Sequence, residues 1–143
     1  MSESTGPPQH SQRVETVACL GWSTTASRGT YKWIDELEKR PQNGRFRFVN
    51  LGVGGDLSFN TVRRLDRVIN VRPDRVIVLI GTNDVLASVF PSFRRFVRVW
   101  KRLSDEPSPA RFEDNLTVVV RRLLQQDQCQ DRVEFGCAAG RRA

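Results

Sequence analysis

A chain of 143 residues fits one domain and leaves little room for a second. Hydrophobic residues at 38% and charged residues at 27% match ordinary globular usage and exclude a wholly disordered chain. The formal net charge is +7, and nearly all the positive charge is arginine (20 Arg to 3 Lys). These arginines are spread along the whole chain. Specific nucleic-acid binding is therefore disfavoured against the simpler reading of solvated faces.

No apolar run approaches the roughly 20 residues a membrane span needs; the longest, residues 76–80, has five. Residues 1–13 are polar with two prolines and lack the apolar core of a signal peptide, so they read as a disordered leader and the expected location is the cytoplasm. Cys19, Cys129 and Cys137 are an odd, widely spaced set, with neither a disulfide framework nor a metal-ligand spacing. The one histidine is His10, in the leader. That single count removes His-rich metal sites.

In chain order, residues 14–20 (VETVACL) form a short apolar run ending at Gly21, a buried strand followed by a turn. Trp33, Ile34 and Leu37 fall at helical spacing within residues 29–39, and Pro41 closes that segment. Residues 46–51 (FRFVNL) read as a second strand, ended by Gly52-Val53-Gly54-Gly55. Residues 58–71 place Val62, Leu65 and Ile69 on one helical face, with Arg63, Arg64 and Arg67 largely elsewhere. Residues 75–80 (RVIVLI) are apolar at consecutive positions, as in a strand buried on both faces.

Residues 92–103 predict a helix with Phe93, Phe96, Val97, Trp100 and Leu103 on one stripe, and with Arg94, Arg95, Arg98, Lys101 and Arg102 largely away from it. Ser108-Pro109 looks like an N-cap and first position of a further helix, burying Phe112, Leu116, Val119, Val120, Leu123 and Leu124. Residues 133–135 begin a fourth strand. Strands alternating with helices, each strand followed by a glycine-containing loop, predict a three-layer α/β/α domain over residues 14–133 with a mainly parallel sheet. In such sheets ligands bind at the carboxyl ends of the strands, so three loops become the candidates.

The first loop is Gly21-Trp22-Ser23-Thr24-Thr25. A serine at a strand-to-helix corner can present its hydroxyl beside N–H groups that stabilise an anion, or can simply cap the next helix. The second, residues 50–56, is rich in glycine, which lets backbone N–H groups approach a ligand. It fails the dinucleotide fingerprint, because Leu57 stands at the third glycine position, and it can also be read as a tight turn before a helix capped by Asp56. The third is Gly81-Thr82-Asn83-Asp84, where an asparagine can aim its side-chain N–H at an oxyanion or close an Asx-turn.

Taken in order, the three loops resemble the conserved blocks of the SGNH, or GDSL-like, hydrolase family of esterases and lipases. Gly21, Ser23 and Thr25 match its Gly-Asp-Ser-x-Thr block. Gly55 followed by Asp56 matches its oxyanion glycine, with Gly54 as the alternative, and Gly81, Asn83 and Asp84 match Gly-x-Asn-Asp. The resemblance implies the flavodoxin-like SGNH fold, with Ser23 as nucleophile toward an ester or other acylated small molecule. It also implies an oxyanion hole from the Ser23 N–H, the Gly55 N–H and the Asn83 side chain, and acyl transfer to water through an acyl-enzyme, with neither a metal nor an organic cofactor.

The sequence departs from the family at Trp22, where the family has Asp, and in lacking the C-terminal Asp-x-x-His that supplies the base. Asp127 and Asp131 are not followed by His, and residues 134–143 lose the strand pattern. The expectation is a C-terminus truncated or frame-shifted near residue 134, with an irregular tail and a sheet edge exposed to self-association. Loss of the base opens a second reading, a binding domain that keeps the fold without catalysis.

Overall fold

A computed structural model describes residues 13–27 and 31–126, together with the backbone of 133–135. The expectations for residues 1–12 and 136–143 lie outside the described residues.

Four strands form one parallel sheet in the order β2-β1-β3-β4: β1 (Glu15–Gly21), β2 (Phe46–Gly52), β3 (Arg75–Leu79) and β4 (Val133–Phe135). β1 pairs with both β2 and β3, so its last five residues are buried. That double pairing explains why residues 17–20 (VACL) are apolar at consecutive positions rather than alternating.

Helices cover both faces, as the strand–helix alternation predicts. On one face Ala18, Leu20, Val76 and Val78 pack against Leu65 and Val68 of α3 (Leu65–Asn70) and Val119 and Leu123 of α6 (Pro109–Leu124). On the other, Val17, Cys19 and Ile77 meet Trp33 and Ile34 of α1 (Trp33–Glu38). The Ser108 hydroxyl accepts the Arg111 N–H at 3.3 Å with Pro109 in the first turn, the expected start of α6.

The structure departs from the sequence reading in four places. The helix expected over residues 58–71 is two helices, α2 (Ser58–Arg63) and α3, separated at Arg64. The third loop is short, because α4 (Thr82–Val89) starts directly after Gly81, whose φ of +117° makes the sharp turn that glycine accommodates. In α5 (Pro91–Trp100) the expected stripe is only partly buried: Val97 is in the core, but Phe96 and Trp100 are exposed. In α6, Leu124 is also exposed. Among the described residues, no helix is long and apolar enough to cross a membrane, and no group of His, Cys, Asp or Glu could hold a metal ion.

Cys19 is fully buried in the central strand, and burial, with a smaller push from Glu38, drives its thiol up to about 12. Since the thiolate is the reactive form, Cys19 should resist iodoacetamide in the native protein at mildly alkaline pH and react in denaturant. Peptide mapping by mass spectrometry reads this directly. Native-state labelling of Cys19 would mean that the central strand opens.

Candidate active site

Parallel pairing sets the ends of the first three strands side by side: Gly21 is in register with Gly52 on one flank and Leu79 on the other. The three candidate loops therefore leave the sheet at one edge. Ser23 follows β1 in a turn closed by the Ala26 N–H donating to the Trp22 carbonyl at 2.8 Å. It is half-buried, and its hydroxyl makes no hydrogen bond among the described residues, so the helix-capping reading of Ser23 fails.

Glycines make this turn possible through close approach. A Cβ on Gly21 would meet the Thr25 hydroxyl at 2.1 Å and the Leu79 carbonyl at 2.8 Å. Thr25 itself is fully buried, with a hydroxyl that finds no partner among the described residues. Trp22, at the position of the family's aspartate, is half-buried beside Ser23, and its backbone carbonyl closes the turn.

The second loop is fixed from several sides. The Val53 N–H donates to the Gly21 carbonyl at 3.0 Å, tying it to the first loop. Gly55 has φ +74°, and a Cβ there would lie 2.3 Å from the Trp100 ring. Asp56 is 5% exposed and does not cap α2, whose N-cap is Leu57. Its carboxylate accepts instead from Arg64 Nε at 2.6 Å and Lys101 Nζ at 3.0 Å. Arg64 also donates to the carbonyls of Leu51 and, at 2.9 Å, Gly21, while Lys101 donates to the Gly54 carbonyl at 2.7 Å. One guanidinium thus gathers the ends of β1 and β2 and the glycine loop. Both cations, which the sequence places largely off the apolar helical faces, are mostly buried here.

The third loop docks on the second. Buried Asn83 donates from Nδ2 to the Asp56 carbonyl at 2.9 Å. That bond uses one of the two amide hydrogens. Asp84, also buried, accepts the Ser58 N–H at 3.0 Å and the Ser58 hydroxyl at 2.6 Å, and Asn115 donates to that hydroxyl at 3.1 Å. Burial pushes the Asp84 carboxyl above its ordinary value, opposed by the hydrogen bonds from Ser58. A cavity of about 550 Å³ opens beside this loop, lined by Gly81, Asp84, Val85, Val89, Pro109 and Phe112 among others. Ser23 and Gly55 do not line it.

The structure thus joins Asp56 to Asn83 directly and ties the Gly21 end of the first loop to Val53. Among the described residues, the Ser23 side chain makes no hydrogen bond to either partner loop. The sequence reading missed Arg64, Lys101, Ser58 and Asn115. Only Arg64 carried a faint signal: it lies eight residues from Asp56, across the short α2.

The family profile for GDSL-like lipases and acylhydrolases matches residues 16–134. The chain belongs to this family. Its fold is similar to that of Axe2, an acetylxylan esterase from Geobacillus stearothermophilus, at 20% identity and TM-score 0.66, covering 86% of this chain and 59% of that one. It is also similar to AlinE4, an SGNH-hydrolase family esterase, at 22% identity and TM-score 0.64, covering 86% of this chain and 58% of that one. For TesA the values are 23% and 0.62, covering 85% and 59%. No curated protein sequence matches the chain. The chain spans 58–59% of the length of these three proteins, and within that span it has the SGNH hydrolase fold.

Proposed function

We propose that this chain carries the nucleophile and oxyanion hole of a serine ester hydrolase, acting on a small acylated molecule. The observation that carries the reading is the Asn83–Asp56 hydrogen bond, which holds the Asn83 amide against the Gly55 loop at the same sheet edge as Ser23. In this reading Ser23 Oγ attacks the ester carbonyl carbon, its proton leaves with the alcohol, and water then hydrolyses the acyl-serine. The developing oxyanion takes hydrogen bonds from the N–H groups of Ser23 and Gly55 and from the second Asn83 amide hydrogen.

The described residues contain no histidine, and His10 is the one histidine of the sequence. Serine without a base is a weak nucleophile, and losing the base of a triad costs on the order of 10⁶ in kcat. Oxyanion stabilisation and binding can retain roughly 10³–10⁴-fold over water. The expected turnover of a p-nitrophenyl acyl ester by this chain is therefore slow but dependent on Ser23. It should fall to background in Ser23→Ala with an unchanged melting temperature, since the hydroxyl has no hydrogen-bond partner among the described residues to lose. Equal rates for the two proteins would overturn the reading and leave a binding domain.

A further inference from the structure

α5 is anchored by little of its surface. Val97 is buried, and Phe93 packs against the cluster of Leu57, Ala87 and Leu103. Outward it presents Phe96 at 57% exposure, Val99 at 81% and Trp100 at 53%, with Phe90 at 52% where the chain enters. Phe96 and Trp100 stack one turn apart, with ring centroids at 5.3 Å and planes tilted by 32°. Beside this ridge Arg95, Arg98 and Arg102 are exposed, and among the described residues none of them joins an ion pair. Arg94 turns away to Glu106 at 2.9 Å. Between Asp84 and Asp105 the sequence contains no acidic residue.

We infer that this face is a docking site for the surface of an anionic lipid bilayer. Phe96, Val99 and Trp100 enter the boundary between headgroups and acyl chains, while Arg95, Arg98 and Arg102 meet the lipid phosphates. Arginine stems can lie along the apolar ridge and keep their charged ends at headgroup level. The charge distribution selects this occupant. A second copy of the chain would set the same unpaired arginines against each other. A single-stranded nucleic acid would need aromatic faces free for its bases, whereas Phe96 and Trp100 stack on one another and the most exposed residue of the ridge is an aliphatic valine. The end of the helix also touches the candidate site, through Trp100 over Gly55 and Lys101 on Gly54 and Asp56. Docking therefore brings the glycine loop to the membrane surface.

Sedimentation of the full chain with vesicles tests this without any need for turnover, so its outcome is separate from that of the ester assay. The chain should pellet with vesicles of phosphatidylcholine mixed with phosphatidylserine, not with phosphatidylcholine alone, and should be released as salt rises. Partitioning should fall roughly tenfold or more in Arg95→Glu/Arg98→Glu and about fivefold in Val99→Ser. Arg121→Glu, an exposed charge on α6, should change it far less. All these positions are exposed, and circular dichroism checks that each variant folds. The proposal fails if pelleting ignores the α5 substitutions or if Arg121→Glu weakens it equally. It also fails if the chain binds single-stranded RNA but not vesicles, or if it forms a dimer that Val99→Ser dissolves while vesicles are ignored.

Discussion

Asp56→Ala should lower the melting temperature by about 15 °C. Asp56 is the shared partner of two cations whose side chains are only 11% and 13% exposed, Arg64 and Lys101. Removing one member of a buried ionic group leaves uncompensated charge and costs roughly 3–5 kcal/mol. For a domain of this size each kcal/mol corresponds to about 4 °C. Asp66→Ala is the internal comparison. Asp66 pairs with Arg122 at 2.7 Å, but its side chain is 74% exposed, and such a surface pair contributes less than about 1 kcal/mol. Thermal unfolding followed by circular dichroism measures both. If the two variants melt together, Asp56 is not the keystone of the glycine loop.

Gly52→Ala should have the next largest effect, through backbone rather than charge. A Cβ at Gly52 would sit 2.2 Å from the Ala26 N and 2.5 Å from the Thr25 carbonyl carbon. Neither can swing aside as a flexible side chain could, so the turn carrying Ser23 must move. Overpacking of this kind costs typically 1–3 kcal/mol and occasionally more. We expect about 3 kcal/mol by denaturant titration, together with loss of any Ser23-dependent ester turnover. Gly44→Ala, where the nearest atom is the Pro41 carbonyl at 3.4 Å, should be close to neutral. Wild-type stability in Gly52→Ala would show that the first loop does not pack on β2 as described.

The three longer strands were legible as short runs rich in apolar residues that lead into glycine, although only β1 is buried along most of its length, β2 staying partly exposed and β3 alternating buried with half-buried positions; α6 was legible because Ser108-Pro109 marks its start. α4 was not, since Gly-Thr-Asn-Asp has the composition of a loop and only the left-handed Gly81 lets a helix begin at once. The kink at Arg64 was invisible for a related reason: helical periodicity runs straight through it. In the candidate site the strand-end residues Ser23, Gly55 and Asn83 could be named from their motifs. The side chains that hold the loops could not. Lys101 is 45 residues from the carboxylate it pairs with, and nothing in a charged residue's local context says that it is buried. For α5, periodicity identified the apolar ridge but could not say that little of it is covered.

The bonds that assemble the three loops all bypass Ser23. They run through the carbonyls of Gly21, Leu51, Gly54 and Asp56, the carboxylates of Asp56 and Asp84, and the cations of Arg64 and Lys101. The frame at this end of the sheet therefore does not depend on the Ser23 hydroxyl. A substitution such as Ser23→Ala changes what the proposed site could do to a ligand and leaves the ties among the three loops in place.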